Sequence, residues 1–232
     1  MTAVGLHPGS ETLLLTVPAV FRVASESVRR AWRVLKTAVG KADRERWKNP
    51  SDPAYQTVDR NRLIAALIPD GSHVLDLGAG TQQLRRLLPP GCKYQPCDLD
   101  GGPDVLDCDF NAGRYPAVTR RYDVLVASGL LEFLRDPEAF LSQLPTLGEI
   151  LLFSYRARPP GEPLRWRLES GYLSHLTTVD LETMLDRFGY RWKCVGVYEH
   201  QRGGRAHMQP IYRVALTPGT TATGVRRGAV GR

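Results

Sequence analysis

Short apolar runs and residues at helical spacing alternate along this chain, which indicates a succession of strands and helices. Five apolar runs are too short for helices and lie at 74–77, 93–97, 105–108, 122–127 and 150–154. Two later runs, at 191–199 and 208–216, flank Gly203-Gly204, a dipeptide typical of a hairpin turn. The pattern therefore predicts seven strands, and the last two form a hairpin.

Residues at helical spacing predict the helices. An amphipathic helix is predicted to begin at Pro18 and to end at Gly40. Its apolar stripe consists of Val17, Phe21, Ala24, Val28, Ala31, Trp32, Leu35 and Val39. Shorter helices are predicted at 43–47, at 62–68 and from Asp136 onward. A further helix is predicted to end at Phe188, with Thr178 or Asp180 as the residue that caps its N-terminus.

The segment 74–81 joins an apolar strand to a turn that contains two glycines. Asp76 lies in the strand, Gly78 and Gly80 form the turn, and three leucines at helical spacing follow. Glycine lets backbone amides approach a ligand closely at a helix N-terminus, so this turn is typical of nucleotide binding. Gln83 occupies the position of the third glycine of the dinucleotide-binding fingerprint, which the chain therefore does not match.

With an acidic residue two positions before its first glycine, this segment resembles the first motif of the class I S-adenosylmethionine (SAM)-dependent methyltransferases. In that family the acidic residue handles the methionine end of SAM, directly or through water, and the glycines make room for it. The resemblance assigns these roles to Asp76, Gly78 and Gly80. Aromatic residues ahead of the motif cover the cofactor in several relatives, and Trp47 and Tyr55 are the candidates here, beside a plain packing role.

The later motifs of the family follow in order. Asp98 ends the second run, and the resemblance implies that it accepts the ribose hydroxyls, with Asp100 in reserve. Asp109 and Phe110 end the third run and are similar to the acidic and apolar pair that meets the adenine. The segment 128–133, which begins with Ser128, is similar to the family's segment beside the transferred methyl.

The resemblance implies an α/β fold with a Rossmann-like, doubly wound, seven-stranded sheet that is mostly parallel and ends in an antiparallel hairpin. It covers roughly residues 60–216 and implies a substrate-cap insertion near 156–176. Residues 1–59 then form an N-terminal helical extension with the basic amphipathic helix and a connector. Residues 217–232 are rich in Gly, Thr and Arg and are predicted to be disordered.

Two departures limit what the family implies for this chain. Phe133 stands where many small-molecule relatives carry a histidine, so no acid or base role passes to it. The aromatic dipeptide with prolines that marks methylases of exocyclic amines is missing after the fourth run, which argues against methylation of nucleobase amino groups.

Charge and cysteine content narrow the class of protein. The net charge of +7 resides in the stretch 18–48 and in the tail, so the region between them is close to neutral and does not indicate nucleic-acid binding. The four cysteines, Cys92, Cys97, Cys108 and Cys194, lack metal-ligand spacing, so we predict no metal and reduced thiols. With no export signal or spanning segment recognised, we expect a cytoplasmic protein.

The amphipathic helix at 18–39 has several possible partners. Arg22, Arg29, Arg33 and Lys36 occupy its basic face. Packing of its apolar stripe on the chain's own catalytic domain, or self-association with a second copy, is the leading interpretation. Contact with an anionic membrane surface, which would make the protein peripheral to a membrane, and contact with RNA are the alternatives.

Methyl transfer from a sulfonium requires mainly that the two reactants are aligned. A hydroxyl acceptor also benefits from a base, and His175 after an aromatic loop and Glu132 near the methyl are the candidates. The alternative for His175 is a structural role as a hydrogen-bonded histidine. The alternative for Glu132 is a carboxylate that orients a neighbouring backbone group. Tyr155 either bonds to the acceptor or packs, and His200 and His207 are expected to face solvent.

The sequence thus predicts a methyltransferase that uses SAM and methylates a small-molecule, sugar-bearing or lipid-linked acceptor, at oxygen rather than nitrogen. One alternative is an RNA methyltransferase whose basic helix contacts phosphates. Another is a non-catalytic scaffold protein that keeps the SAM-binding fold.

Overall fold

A seven-stranded sheet with the order β3-β2-β1-β4-β5-β7-β6 forms the centre of the protein. The computed structural model describes residues 17–42, 47, 57–99, 101–202 and 205–217. The strands are β1 (His73–Leu77), β2 (Lys93–Asp98), β3 (Leu106–Asp107), β4 (Tyr122–Ser128), β5 (Gly148–Ser154), β6 (Arg191–Arg202) and β7 (Arg205–Ala215). Strand pairs are parallel from β3 to β5, whereas β7 runs antiparallel to both β5 and β6. The predicted fold class is therefore confirmed.

Five α-helices accompany the described part of the sheet: α1 (Val17–Ala38), α2 (Val58–Ala65), α3 (Pro137–Leu147), α4 (Leu164–Glu169) and α5 (Thr178–Arg187). Asp136 caps α3 by accepting a hydrogen bond from the Ala139 amide. The predicted cap of α5 was wrong by one residue, because the Thr177 hydroxyl is the acceptor and Asp180 completes a capping box with it.

Both faces of the sheet are covered, which explains the nearly continuous apolar run of β4. Leu75 and Leu125 point to the face covered by α3 and α5, where Phe140 is also buried. Val74 and Val124 point to the opposite face, which α2 covers. Successive residues of one strand thus enter two different cores, and the carboxyl ends of the parallel strands meet at one edge.

The helix predicted after the glycine turn is only a 3-10 helix, Gln83–Arg86. Gln82 precedes it in the left-handed conformation, with φ +55°. Pro89 and Pro90 follow soon after, and proline supplies no amide hydrogen for a continuing helix. The leucines at helical spacing therefore cover the sheet without an α-helix.

The prediction that all four cysteines are reduced was wrong for two of them. Cys97 at the end of β2 and Cys108 just after β3 form a disulfide. Cys92 and Cys194 are free. The covalent link joins the two strand ends that lead into Asp98 and Asp109.

Helix α1 lies beside α4, but the apolar side chains described at 28, 32, 35 and 39 do not pack on the chain's own domain, and the alternative of self-association with a second copy stays a prediction. Val28, Trp32, Leu35 and Val39 expose 68%, 58%, 52% and 62% of their surface. Among the described residues, no helix is both long and apolar enough to cross a bilayer.

Several predicted features lie outside the described residues. They are Tyr55, Asp100, the Gly203-Gly204 turn, the connector at 49–53, the tail from 218 and, apart from Trp47, the short helix at 43–47.

Candidate active site

A cavity of about 390 Å³ lies at the carboxyl edge of β1, β2 and β4. This edge is where ligands bind in open α/β sheets. Eight residues predicted for the site line the cavity together: Asp76, Gly78, Gly80, Asp98, Asp109, Phe110, Ser128 and Glu132. In the parallel register Leu77 pairs with Cys97, so Asp98 follows at the level of the glycine turn.

The glycine turn holds β1 and β2 together and does not offer free amides to a ligand, which corrects the sequence interpretation. The Gly78 and Ala79 amides donate to the Cys97 carbonyl at 2.8 and 3.1 Å, and the Gly80 amide donates to Asp98 Oδ2 at 2.6 Å. Gly78 and Gly80 have φ of +73° and +52°, a region that favours glycine. A Cβ on Gly78 would also lie 2.9 Å from Leu130 Cδ1.

Asp76 is a buried carboxylate held by a phenol. The Tyr94 hydroxyl donates to Asp76 Oδ2 at 2.7 Å, a contact that nothing in the sequence indicated. Burial raises the pKa of Asp76 to about 7 against the lowering effect of the Tyr94 hydrogen bond, and the nearby Asp98 raises it further. Asp76 therefore changes its charge near neutral pH.

We expect Asp76→Asn to raise the thermal unfolding midpoint by several degrees at pH 8. The folded protein holds the Asp76 proton up to a pKa of about 7, whereas the unfolded chain releases it near 3.8. Stability therefore falls as the pH rises from about 4 to 7, and the amide removes this penalty. Differential scanning calorimetry at pH 8 and pH 4.5 measures the effect, which should shrink at the lower pH.

The matched control for that substitution is Asp104→Asn, since Asp104 is an exposed carboxylate outside the cavity. An equal rise in its midpoint at pH 8 would contradict the assignment of the penalty to buried Asp76.

Asp98 and Asp109 line the cavity with carboxylates that also shape their own loops. Asp98 Oδ1 accepts a hydrogen bond from the Leu99 amide at 2.6 Å. Asp109 Oδ1 accepts from the Ala112 amide at 3.2 Å and so caps the 3-10 helix Phe110–Ala112. The second bond holds the short helix that begins at Phe110, whose ring centroid lies 5.0 Å from that of Phe140 in the core.

Arg60 of α2 is a cavity residue that the sequence analysis missed. Its guanidinium is buried and donates to Ser128 Oγ at 2.9 Å, to the Ser128 carbonyl at 3.1 Å and to Gln209 Oε1 at 2.8 Å. The Ser128 hydroxyl in turn donates to Asn61 Oδ1 at 2.6 Å. A Cβ on Gly129 would collide with the Arg60 guanidinium, and the φ of +62° at this position also favours glycine.

Glu132 lies in the 3-10 helix Leu131–Phe133. One of its carboxylate oxygens accepts a hydrogen bond, and the other has no hydrogen-bond partner among the described residues. Oε1 accepts a hydrogen bond from the Arg156 amide at 2.7 Å. Oε2 is buried and has no hydrogen-bond partner among the described residues. Burial raises the pKa of Glu132, while the nearby Arg60 lowers it. An unengaged buried oxygen in a cavity wall can accept a hydrogen bond or a proton from a ligand.

His175, the other candidate base, does not line the cavity. Its Nδ1 accepts a hydrogen bond from Arg167 Nε at 3.2 Å, and burial together with that cation lowers the pKa of the ring. Tyr155 is fully buried, and its hydroxyl contacts Ser174 Oγ at 2.8 Å. Both residues therefore stabilise the segment 156–176 around α4, which we call the cap. Neither position supports contact with the acceptor.

A buried ion cluster fixes this cap. The Glu162 carboxylate forms salt bridges with Arg156 and with Arg167, the latter at 3.1 Å. Arg167 is completely buried and also donates to the carbonyls of Arg156 and Ser174.

We expect Glu162→Ala to lower the free energy of unfolding by about 3 kcal/mol, because it leaves two buried guanidinium groups without their carboxylate. Urea denaturation measures this loss. In the control, Glu169→Ala, only the i,i+4 pair with the 85% exposed side chain of Arg165 is removed. A loss there of about 0.5 kcal/mol or less is expected, and equal losses in both variants would contradict the importance of the cluster.

The β6–β7 hairpin forms another wall of the cavity, where Tyr198, His200 and Gln209 line it. The prediction that His200 and His207 face solvent was wrong. His207 is 3% exposed, and its Nδ1 accepts a hydrogen bond from Arg156 Nε at 2.9 Å. Its ring stacks on that of His200, with the two centroids 5.2 Å apart. The hairpin thereby joins the cap to the sheet.

Among the described residues, no His, Cys, Asp and Glu side chains form a group of three or more that could hold a metal ion.

Comparison with known proteins identifies the fold. No protein-family model and no curated protein sequence matches the chain. Among solved structures, the chain is similar to the 1,6-didemethyltoxoflavin-N1-methyltransferase of Burkholderia thailandensis, which was solved with 1,6-didemethyltoxoflavin and S-adenosylhomocysteine bound. The two share 16% identity and a TM-score of 0.52, and the match covers 87% of this chain and 91% of that chain. A SAM-dependent methyltransferase of Aquifex aeolicus is similar at 15% identity and a TM-score of 0.51 over 75% of this chain and 100% of that chain. The chain therefore has the class I methyltransferase fold.

Proposed function

We propose that this protein is an enzyme that transfers a methyl group from SAM to a small-molecule acceptor. The observation that carries the proposal is the convergence of Asp76, Asp98 and Asp109 on the wall of one cavity, at the carboxyl edge of a sheet with this strand order. Three strand-end carboxylates in one cavity fit a ligand with an ammonium, a ribose and an adenine.

The residues at this end of the cavity fit SAM by charge and shape. The Asp76 carboxylate, in its charged form, is suited to the ammonium of the methionine moiety. Asp98 is suited to the ribose hydroxyls, and Asp109 with Phe110 is suited to the adenine. Gly78 lets the turn pack closely on Leu130, since a Cβ there would lie 2.9 Å from Leu130 Cδ1. Ser128 is hydrogen-bonded to Arg60 and Asn61, so we assign it to the cavity wall and not to direct contact with SAM.

When bound, SAM supplies a methyl carbon on a positively charged sulfur, which an acceptor oxygen can displace. The protein's contribution is to hold the acceptor beside that carbon and to take up its proton. Glu132 Oε2 is suited to the proton, because it is buried and without a hydrogen-bond partner among the described residues. Arg60 lies close enough to influence the pKa of Glu132 and favours negative charge on the acceptor oxygen.

Calorimetric titration of the full chain with SAM and with S-adenosylhomocysteine tests the proposal. We expect both to bind, and the affinity to fall about tenfold for each pH unit below the pKa of Asp76, which is about 7. Absence of binding at about 1 mM of either compound would refute the proposal.

Incubation with methyl-labelled SAM and fractionated cell extract then identifies the acceptor class. Label in small metabolites or lipids supports a small-molecule acceptor. Label in RNA would favour the RNA methyltransferase, and binding of SAM without any labelled product would favour the non-catalytic scaffold.

The exposed stripe of α1 supports an association through this helix, with a second copy of the chain or with an anionic membrane surface. Val28, Trp32, Leu35 and Val39 form one apolar face next to basic residues at 29, 30, 33 and 36. Either partner would remove this apolar surface from water and would place the enzyme in an oligomer or at a membrane.

We expect Trp32→Glu to abolish that association, because a charge would then lie in the apolar face. Sedimentation velocity detects the oligomer, and co-sedimentation with vesicles of anionic lipid detects the membrane contact. Val179→Glu is the matched control, since Val179 is 70% exposed but belongs to α5. A wild-type chain that is monomeric and does not sediment with vesicles would contradict the association.

A further inference from the structure

Seven rings contact one another in a continuous series beside Glu132. In order they are Trp47, Phe133, Tyr172, Trp166, His207, His200 and Tyr198, with neighbouring centroids 4.5 to 5.9 Å apart. All except Trp166 and His207 line the cavity. We call this series the aromatic arc. Its described members come from the segment after β4, from the cap and from the β6–β7 hairpin, together with Trp47.

Two groups of cavity residues therefore differ in chemistry. One group consists of the carboxylates of Asp76, Asp98 and Asp109, which the proposed function assigns to SAM. The other group consists of the cavity-lining rings of the aromatic arc, with Glu132 and Arg60. Under that function the arc is the part of the cavity left for the acceptor. Flat ring faces bind planar ligands by stacking and edge contacts.

Charge around Glu132 selects among ring-bearing ligands. Arg60 lines the cavity with it, and Arg167 acts on it from behind the cavity wall. These cations disfavour an ammonium beside Glu132 and favour a group that becomes negative. Glu132 Oε2, which lacks a hydrogen-bond partner among the described residues, calls for a ligand that donates a hydrogen bond.

We propose that the acceptor is a planar aromatic molecule with a hydroxyl on its ring, bound against the aromatic arc so that the hydroxyl donates to Glu132 Oε2. The inference rests on the proposed function and names its substrate class. In the transfer, the hydroxyl proton passes to Glu132 Oε2 and the oxygen bonds to the methyl carbon. The electron pair of the broken carbon–sulfur bond stays on the departing thioether. Arg60 stabilises the negative charge that develops on the oxygen.

Binding of three probes to the full chain saturated with S-adenosylhomocysteine tests this class. The probes are umbelliferone, a fluorescent aromatic hydroxyl compound; tryptamine, an aromatic ammonium; and glucose, a polyol without an aromatic ring. We expect umbelliferone to bind at least about tenfold more tightly than the other two. We also expect methyl-labelled SAM to yield the methyl ether of umbelliferone.

Phe133→Leu tests the contribution of the arc, because it removes a ring from the cavity wall while keeping an apolar side chain. We expect umbelliferone affinity to fall about tenfold and S-adenosylhomocysteine affinity to stay within about twofold. Phe188→Leu is the matched control, since the ring of Phe188 stacks on Tyr190 outside the cavity. It should leave both affinities unchanged.

The outcomes separate this inference from the proposed function. Failure of S-adenosylhomocysteine to bind refutes the proposed function itself. If it binds but umbelliferone does not, or if tryptamine or glucose binds more tightly, the acceptor class is wrong and the function stands. Equal umbelliferone affinity in wild type and Phe133→Leu, with both folded by calorimetry, also overturns the role of the arc.

Discussion

Gly80→Arg is expected to abolish SAM binding without unfolding the domain. Gly80 lines the cavity, has φ of +52° and donates its amide to Asp98 Oδ2 at 2.6 Å. An arginine there would extend into the space proposed for the methionine moiety, and its guanidinium would pair with the nearby carboxylates. Calorimetric titration should show no binding of SAM at about 1 mM.

A control separates this steric effect from backbone strain. Gly161 has φ of +75°, has no atom within 4 Å of an added Cβ and does not line the cavity. Gly161→Arg therefore carries a similar conformational cost of about 1 kcal/mol but should bind SAM normally. Wild-type SAM affinity in Gly80→Arg would place the methionine moiety elsewhere.

Glu132→Gln is expected to lower turnover by about 10²- to 10⁴-fold, the contribution of a positioned base. The amide oxygen can replace Oε1 as acceptor of the Arg156 amide, but the amide nitrogen cannot take a proton. Affinity for S-adenosylhomocysteine should therefore remain unchanged. Burial raises the pKa of Glu132, so wild-type turnover should increase with pH until this carboxyl is ionised, and the variant should lose that dependence.

The pH profile distinguishes a base from a purely structural carboxylate. Glu149→Gln serves as the control, because Glu149 is exposed at the start of β5 and should show wild-type turnover and pH dependence. A Glu132→Gln enzyme with full turnover would show that no base is needed or that another group supplies it.

The sheet and its carboxylates were predictable from sequence because their signals are local. An apolar run that contains Asp76 near its end, or that is followed by Asp98 or Asp109, defines both a strand and the carboxylate near its carboxyl end. Parallel strands then bring these ends to one edge whatever the loops do. The glycine turn was predicted correctly in position but not in its bonding, because the acceptors of its amides lie on another strand.

The rest of the site depends on contacts between distant segments. Arg60 has the pattern of a solvent-facing helix residue, yet its partners Ser128 and Gln209 lie 68 and 149 positions away. His207 was misjudged because β6 and β7 extend beyond the predicted runs, which brings His200 to the cavity and buries His207 beside Arg156. His175 was attractive by its aromatic neighbours, but pairing with buried Arg167 directs it into the cap. Hydrophobic periodicity within one segment does not indicate contacts between side chains of distant segments.

The position of β7 between β5 and β6 sets the order in which a nascent chain can acquire its structure. Strand β6 leaves the ribosome before β7 but reaches the rest of the sheet only through it. A chain cut short at residue 204 would present β5 as an open edge and leave β6 without its backbone partner. Native pairing of this half of the domain therefore waits for β7, and premature termination there should yield an aggregating product instead of a smaller folded domain.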